Sequence, residues 1–163
     1  MHTYETQITI DAPPAAVWKH LIDVARHDEW SQHFQLRGDP VVGGPGRIEF
    51  SLFGFSTGAS VVFETVDAPL ELRWHGGPKG IAHGSHFCIL EELDGGRRTR
   101  FRHGESFSGI LARLVVLLLK TDRGPSYKGF NEDLRQRVRA STALISQRGP
   151  DPPERTVVGS PSP

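Results

Sequence analysis

The feature that most limits how this chain can fold is a change of period at Phe107. Between Phe34 and Phe107, turn-forming residues cut the sequence at Gly38-Asp39-Pro40, Gly43-Gly44-Pro45-Gly46, Gly54, Gly76-Gly77-Pro78 and Asp94-Gly95-Gly96. The segments between them are Arg47–Phe53, Ala59–Val66, Glu71–His75, His83–Leu93 and Arg98–Phe107. Breaks spaced by about eight to twenty residues predict an antiparallel meander. Asp94-Gly95-Gly96 predicts a tight hairpin, because glycine accepts the positive φ such turns need. After Phe107 the period becomes helical. Ile110, Leu111, Leu114, Val115, Leu117, Leu118 and Leu119 are apolar on most sides, and Gly124-Pro125 then interrupts the run. Tyr127, Phe130, Leu134, Val138, Ser141 and Ile145 share one face of a second helical stretch. Its opposite face, Glu132, Asp133, Arg135, Gln136, Arg137 and Arg139, belongs in water.

Ahead of the meander, Tyr4 to Ile10 alternates polar and apolar, as a half-buried strand does. Asp11-Ala12-Pro13-Pro14 marks a helix start, with Asp11 as the N-cap and proline in the first turn. Val17, Trp18, Leu21, Ile22 and Ala25 form one buried helical face, and a second short helix closes near Trp30-Ser31. The order is strand, two short helices, strands, then a long C-terminal helix. An α+β domain follows, in which that helix covers one face of a curved antiparallel sheet of about seven strands. The domain is expected over residues 1–147, with a flexible Pro-rich tail over 148–163.

Composition excludes several classes. Among 163 residues, Lys plus Arg and Asp plus Glu are 19 each, a formal charge of zero. That balance argues against nucleic acid as partner. A single cysteine, Cys88, rules out an internal disulfide. The N-terminus lacks a secretory pattern, and Ile110 to Leu119 contains Arg113 and is too short to span a bilayer, so a cytoplasmic protein without stable membrane insertion is expected. Gly43-Gly44-Pro45-Gly46 is not a phosphate loop, since no Lys-Ser/Thr follows. Arg97, Arg98, Arg100 and Arg102 make a basic edge, but Glu91, Glu92 and Asp94 across the hairpin can pair with it.

The residues able to carry chemistry lie on the last two strand segments. Strand alternation puts Thr99, Phe101, His103, Glu105 and Phe107 on one face, and the aromatics turn that face inward. His103 and Glu105 are then about 6–7 Å apart at Cα. A carboxylate beside an imidazole fixes its tautomer and strengthens it as a base, so His103 with Glu105 as orienter is the candidate catalytic pair. The same pair can equally be a buried polar contact with no chemistry. On the preceding segment His86, Cys88 and Leu90 share one face, while Phe87, Ile89 and Glu91 share the other, and both carry apolar residues. Two histidines and a glutamate could ligate a metal, but no local ligand spacing supports it, and neither metal nor cofactor is expected.

The ordered set Ile8-Thr9-Ile10-Asp11-Ala12-Pro13, Val17-Trp18, Asp28-Glu29-Trp30-Ser31, Leu72-Arg73-Trp74, Gly84-Ser85-His86, Arg98-Thr99-Arg100-Phe101-Arg102-His103-Gly104-Glu105-Ser106-Phe107-Ser108-Gly109 and Gly129-Phe130 resembles the SRPBCC (START-like, helix-grip) superfamily. Within it, the chain resembles the polyketide cyclase/dehydrase and lipid-transport branch. The resemblance implies a helix-grip fold with a deep apolar cavity between sheet and last helix, and it turns His86 inward, near His103. The lining it implies is Trp74, His86, Cys88, Phe101, Phe107, Leu111, Leu114, Tyr127, Phe130 and Leu134. A solid core built of the same residues is the alternative.

The implied function is binding of a hydrophobic small molecule such as a lipid, polyketide or aromatic metabolite. The alternative is a cofactor-independent cyclase or dehydratase using His103 and Glu105 in the same cavity, and a third reading is a protein-interaction role. An inward His–Glu pair at an open pocket favours the enzyme, whereas an outward pair favours the carrier. The Ile110–Leu119 run is apolar beyond what one helix face hides. It suits a cavity lid, a homodimer contact or a patch against a membrane, with lid plus dimer contact preferred.

Overall fold

The computed structural model describes residues 1–52, 55–121 and 126–148. Gly54, the break at Gly124-Pro125 and residues 149–163 of the expected tail lie outside the described residues. The elements are β1 (His2–Ile10), α1 (Pro14–Ile22), a 3₁₀ helix (Val24–Glu29), β2 (Phe34–Gly38), β3 (Pro45–Leu52), β4 (Phe55–Asp67), β5 (Glu71–Gly76), β6 (His83–Leu93), β7 (Arg98–Ser108), α2 (Ala112–Leu119) and α3 (Tyr127–Arg148). The strands form one 7-stranded antiparallel sheet in the order β1-β7-β6-β5-β4-β3-β2. The N-terminal strand thus pairs with the last one, while the rest of the sheet is a plain meander.

Local chemistry accounts for these elements. In β7, Thr99, Phe101, His103 and Phe107 are buried, while Arg98 and Arg100 are exposed, as the alternation requires. The hairpin from β6 into β7 turns through Asp94, Gly95 and Gly96, all at positive φ. On its outer face Arg98 pairs with Asp94, Arg100 with Glu91, and Arg102 bridges Glu91 and Glu5. The expected basic edge is therefore laced by carboxylates across three strands. The Asp11 N-cap does not form. An Asp11 cap would need an N–H at position 13 or 14, and both are proline; Pro13 is the capping residue instead, with no polar side chain to bond, and its carbonyl accepts from the Ala16 N–H at 2.9 Å. Phe34–Gly38, not singled out among the sequence segments, forms the edge strand β2, which turns Phe34 and Leu36 inward.

The two helical stretches expected after Phe107 are α2 and α3, and α3 is the long C-terminal helix. α2 buries Ala112, Val116 and Leu119, and α3 buries Tyr127, Phe130, Leu134 and Val138 at helical spacing. α3 packs across β1 and β7 and against α1, which contributes Val17, Trp18 and Leu21. The core between the sheet and these helices includes Phe63, Leu72, Leu90 and Phe101, all nearly inaccessible.

Several polar side chains are buried in this core, among them His27, Ser31, His86, Thr99, His103 and Asn131. His27, on the 3₁₀ helix, donates from Nε2 to the carbonyl of Leu21 at 2.9 Å and packs on Trp30 and Phe130. Its Nδ1 is buried with no partner among the described residues. Burial pushes its pKa from 6.5 down to about 4. The unfolded chain thus binds a proton at a higher pH than the folded one does. Stability contributed by neutral His27 is complete above about pH 6.5 and is lost as the pH falls toward 4. The loss expected from this group is about 3 kcal/mol. Urea unfolding across that range checks it: His27→Phe flattens the acid-side slope, and an unchanged slope removes His27 as its source.

Candidate functional site

The strand register assembles the site. Trp74 of β5 lies opposite His86 of β6, and His86 lies opposite Glu105 of β7. One row deeper, Leu72, Cys88 and His103 align, followed by Thr6 of β1. All these side chains face the helices, and α3 lays Tyr127, Phe130 and Asn131 over them.

A hydrogen-bonded chain runs through the rows. The Thr6 hydroxyl donates to the carbonyl of His103 at 3.1 Å, leaving its lone pairs for Asn131 Nδ2, which donates to Thr6 Oγ1 at 3.0 Å. Asn131 Oδ1 consequently faces His103 Nδ1, at 2.7 Å. An amide oxygen only accepts, so His103 Nδ1 carries the proton. Burial, reinforced by His86, holds the pKa of His103 well below its usual value, so the ring is neutral and its Nε2 is a bare acceptor. His86 Nε2 lies 2.6 Å from it and must therefore be the donor.

On the far side of His86, Nδ1 is 3.5 Å from Glu105 Oε2, and the Tyr127 hydroxyl donates to that same oxygen at 2.6 Å. The His86 ring is stacked between Trp74, with centroids 4.2 Å apart, and Tyr127, at 5.3 Å. His86 thus has the Glu105 carboxylate ahead of Nδ1 and an aromatic face on each side of its ring. Desolvation and the neighbouring Glu105 keep the Tyr127 hydroxyl protonated by raising its pKa well above normal. Gly84 makes room for this arrangement, since a Cβ there would run into Glu105 Oε1.

A cavity of about 300 Å³ opens beside the cluster. Phe34, Ile48, Phe50, Val61, Trp74, Phe107, Val115, Leu118 and Leu119 give it an apolar wall, and His86, Glu105 and Tyr127 give it one polar corner. A larger groove, about 840 Å³, lies elsewhere, between Ile10–Asp11 and the charged residues Glu132, Arg135 and Arg139 of α3, and contains none of this machinery.

The expected residues divide accordingly. Trp74, His86, Glu105, Phe107 and Tyr127 line the cavity. Cys88, Phe101, His103, Phe130 and Leu134 are buried behind its wall and do not line it. Leu111 and Leu114 point outward, 43% and 52% exposed, because α2 presents Val115, Leu118 and Leu119 to the cavity instead. Glu105 does not pair directly with His103, because His86 stands between them. Thr6 and Asn131 went unremarked in the sequence, although Asn131 falls on the Tyr127–Phe130–Leu134 face of α3, where a polar residue is out of place. His86, Cys88 and His103 bring ligand-type atoms within 4.8 Å of one another. The 2.6 Å between the imidazole nitrogens is nevertheless shorter than two nitrogens on one tetrahedral ion allow, about 3.3 Å. Burial also drives the Cys88 thiol far above its normal pKa, so the cluster fits a hydrogen bond better than a metal ion.

A seven-stranded sheet gripping a C-terminal helix around an internal cavity defines the helix-grip, START-like class of the SRPBCC superfamily. The chain belongs to the family described as polyketide cyclase/dehydrase and lipid transport, whose pattern matches residues 1–139. Among solved structures, it is similar to the Zhui aromatase/cyclase from Streptomyces sp. R1128, with 13% identity and a TM-score of 0.69 over 86% of this chain and 95% of that one. It is similar to TTHA0849 from Thermus thermophilus, with 16% identity and a TM-score of 0.66 over 86% and 99% of the two chains. The di-domain ARO/CYC BexL from the BE-7585A biosynthetic pathway gives 16% identity and a TM-score of 0.66, over 87% of this chain and 48% of that one. At these identities the likeness concerns the fold. No curated protein matches the sequence.

The tautomers make a measurable statement. Long-range ¹H–¹⁵N spectra at neutral pH are expected to place the His103 proton on Nδ1 and a proton on His86 Nε2. Thr6→Val frees the Asn131 amide to turn and is expected to mix the His103 tautomers, while Thr6→Ser restores the single form. A proton found on His103 Nε2 in the native chain would refute the assignment.

Proposed function

We propose that the protein binds a compact hydrophobic small molecule in the 300 Å³ cavity, held by apolar contact and oriented by Glu105, His86 and Tyr127. The observation that carries this reading is one acid–base corner in an otherwise apolar enclosure, the usual form of a small-molecule site. The volume lies at the low end for such sites, favouring a ligand of one or two rings over a long acyl chain.

A second reading, catalysis of the cyclase or dehydratase type, is favoured by the contact between His86 and Glu105 at the cavity wall. In that reading the Glu105 carboxylate takes a proton from an activated carbon or hydroxyl of the ligand. The same carboxyl can return that proton to a leaving hydroxyl, with His86 and Tyr127 holding its orientation. His103 moves from the acid–base role expected for it to a positioning role, because it reaches the ligand only through His86. The family and the aromatase/cyclase neighbours support a ligand-binding or cyclase role in general.

Titration with a naphthalene-type fluorophore that quenches tryptophan, together with native mass spectrometry of the purified protein, tests binding. Saturable binding is expected, weakened at least tenfold in Gly84→Leu, which fills the corner. Failure of any apolar probe to bind would remove the cavity reading. If a substrate is turned over, Glu105→Gln is expected to lower kcat by about 10²-fold or more while leaving binding within a few-fold. An unchanged kcat would exclude Glu105 as the proton acceptor.

A further inference from the structure

We propose that the apolar face built by the β5–β6 loop and the β7–α2 segment is a docking surface for an anionic phospholipid bilayer. The two segments are tied backbone to backbone: the Ile110 N–H donates to the Gly80 carbonyl at 3.1 Å, and the Leu111 N–H donates to that of Ile81 at 2.9 Å. Together they carry Ile81, Ile110, Leu111, Leu114, Leu117 and Leu118 into solvent, Ile110 at 83% and Leu117 at 61% exposure. Isolated exposed leucines need no explanation, but a contiguous group does. α2 satisfies the core with Ala112, Val116 and Leu119, so this second apolar side is surplus to folding.

Charge selects the partner. Across residues 77–83 and 109–121 the charged side chains are Lys79, Arg113 and Lys120, all exposed, and there is no acidic residue. Asp122 and Arg123, next in the sequence, cancel in charge. In a chain with 19 basic and 19 acidic residues, that is a local concentration of positive charge. Glu64, on the outer sheet face, shares a shallow depression with Lys79, but its carboxylate accepts from Ser85. Apolar side chains rimmed by cations match the acyl boundary and the headgroups of an anionic leaflet. A second copy of the chain docked about a two-fold axis would instead set the same cations against each other.

The cavity gives the surface a use. Gly77, Ala82 and Leu118 belong both to this region and to the cavity wall, so an apolar molecule could pass between bilayer and cavity with little exposure to water. With 8 residues, α2 is far too short to cross, and the attachment is peripheral.

Co-sedimentation of the full chain with two kinds of vesicle tests the proposal: phosphatidylcholine alone, and phosphatidylcholine mixed with phosphatidylglycerol. Binding to the mixed vesicles, much weaker binding to phosphatidylcholine alone, and weakening by salt are expected. Arg113→Glu with Lys120→Glu, both surface changes, should reduce the partition coefficient at least about twentyfold. Leu114→Glu with Leu117→Glu should reduce it at least tenfold with the melting temperature retained. If that leucine pair proves unstable, the charge-reversal pair alone decides. Absence of binding, equal binding to both vesicle types, or binding that ignores the charge reversal would overturn the proposal. So would a dimer in multi-angle light scattering that Leu114→Glu with Leu117→Glu dissociates, which assigns the face to a second copy.

Discussion

Two imidazole rings placed nitrogen to nitrogen can share only one hydrogen bond, and at 2.6 Å His86 and His103 have no room for anything else between them. Which ring supplies that proton is decided elsewhere, by the amide of Asn131 on α3 and the hydroxyl of Thr6 on β1. This contact therefore links the first strand, the last strand, the long helix and the cavity wall into one donor–acceptor sequence. A buried polar network of this kind is tolerable only when every member is satisfied, and here each link fixes the next.

The network also explains why the cavity has a direction. Its apolar wall would hold a ligand in many orientations, but Glu105, Tyr127 and His86 sit at one corner only. Glu105 Oε2 is held by Tyr127 and faces His86, and Oε1 lies over the bare Cα side of Gly84. A molecule bound there as proposed would meet a carboxylate whose orientation is set before it arrives, which is the kind of preorganisation that both tight binding and proton transfer require.

Much of this was legible in the sequence, and the losses have identifiable causes. Alternation in Thr99–Phe107 placed His103 and Glu105 inward because a strand has two faces and the aromatics mark one of them. The Glu105 partnership failed because same-face neighbours along a strand are farther apart than cross-strand partners, and cross-strand register cannot be read from one segment. In α2 nearly every residue is apolar, so no periodicity told the buried side from the exposed one, and Leu111 and Leu114 were placed inward when they face out. Thr6 and Asn131 act at a sequence distance of 125 residues, and nothing local marks such a pair. The expected Asp11 cap lost to a proline that removed the donor it would have capped.

The sheet order carries a consequence for how the molecule comes into being. β1 is the first strand made, yet it borders only β7, and the Thr6–His103 contact spans 97 positions. The earliest segment must wait, unpaired, until almost all of the sheet has been synthesised, which places its closure among the slow, entropy-limited steps of folding. Thr6, the residue that orients the whole proton sequence, arrives on that strand. The enclosure can form from the meander and helices, but its chemical polarity is set only by the last strand pairing. Shortened chains that keep the cavity yet lack β1 would be vessels without a defined proton donor.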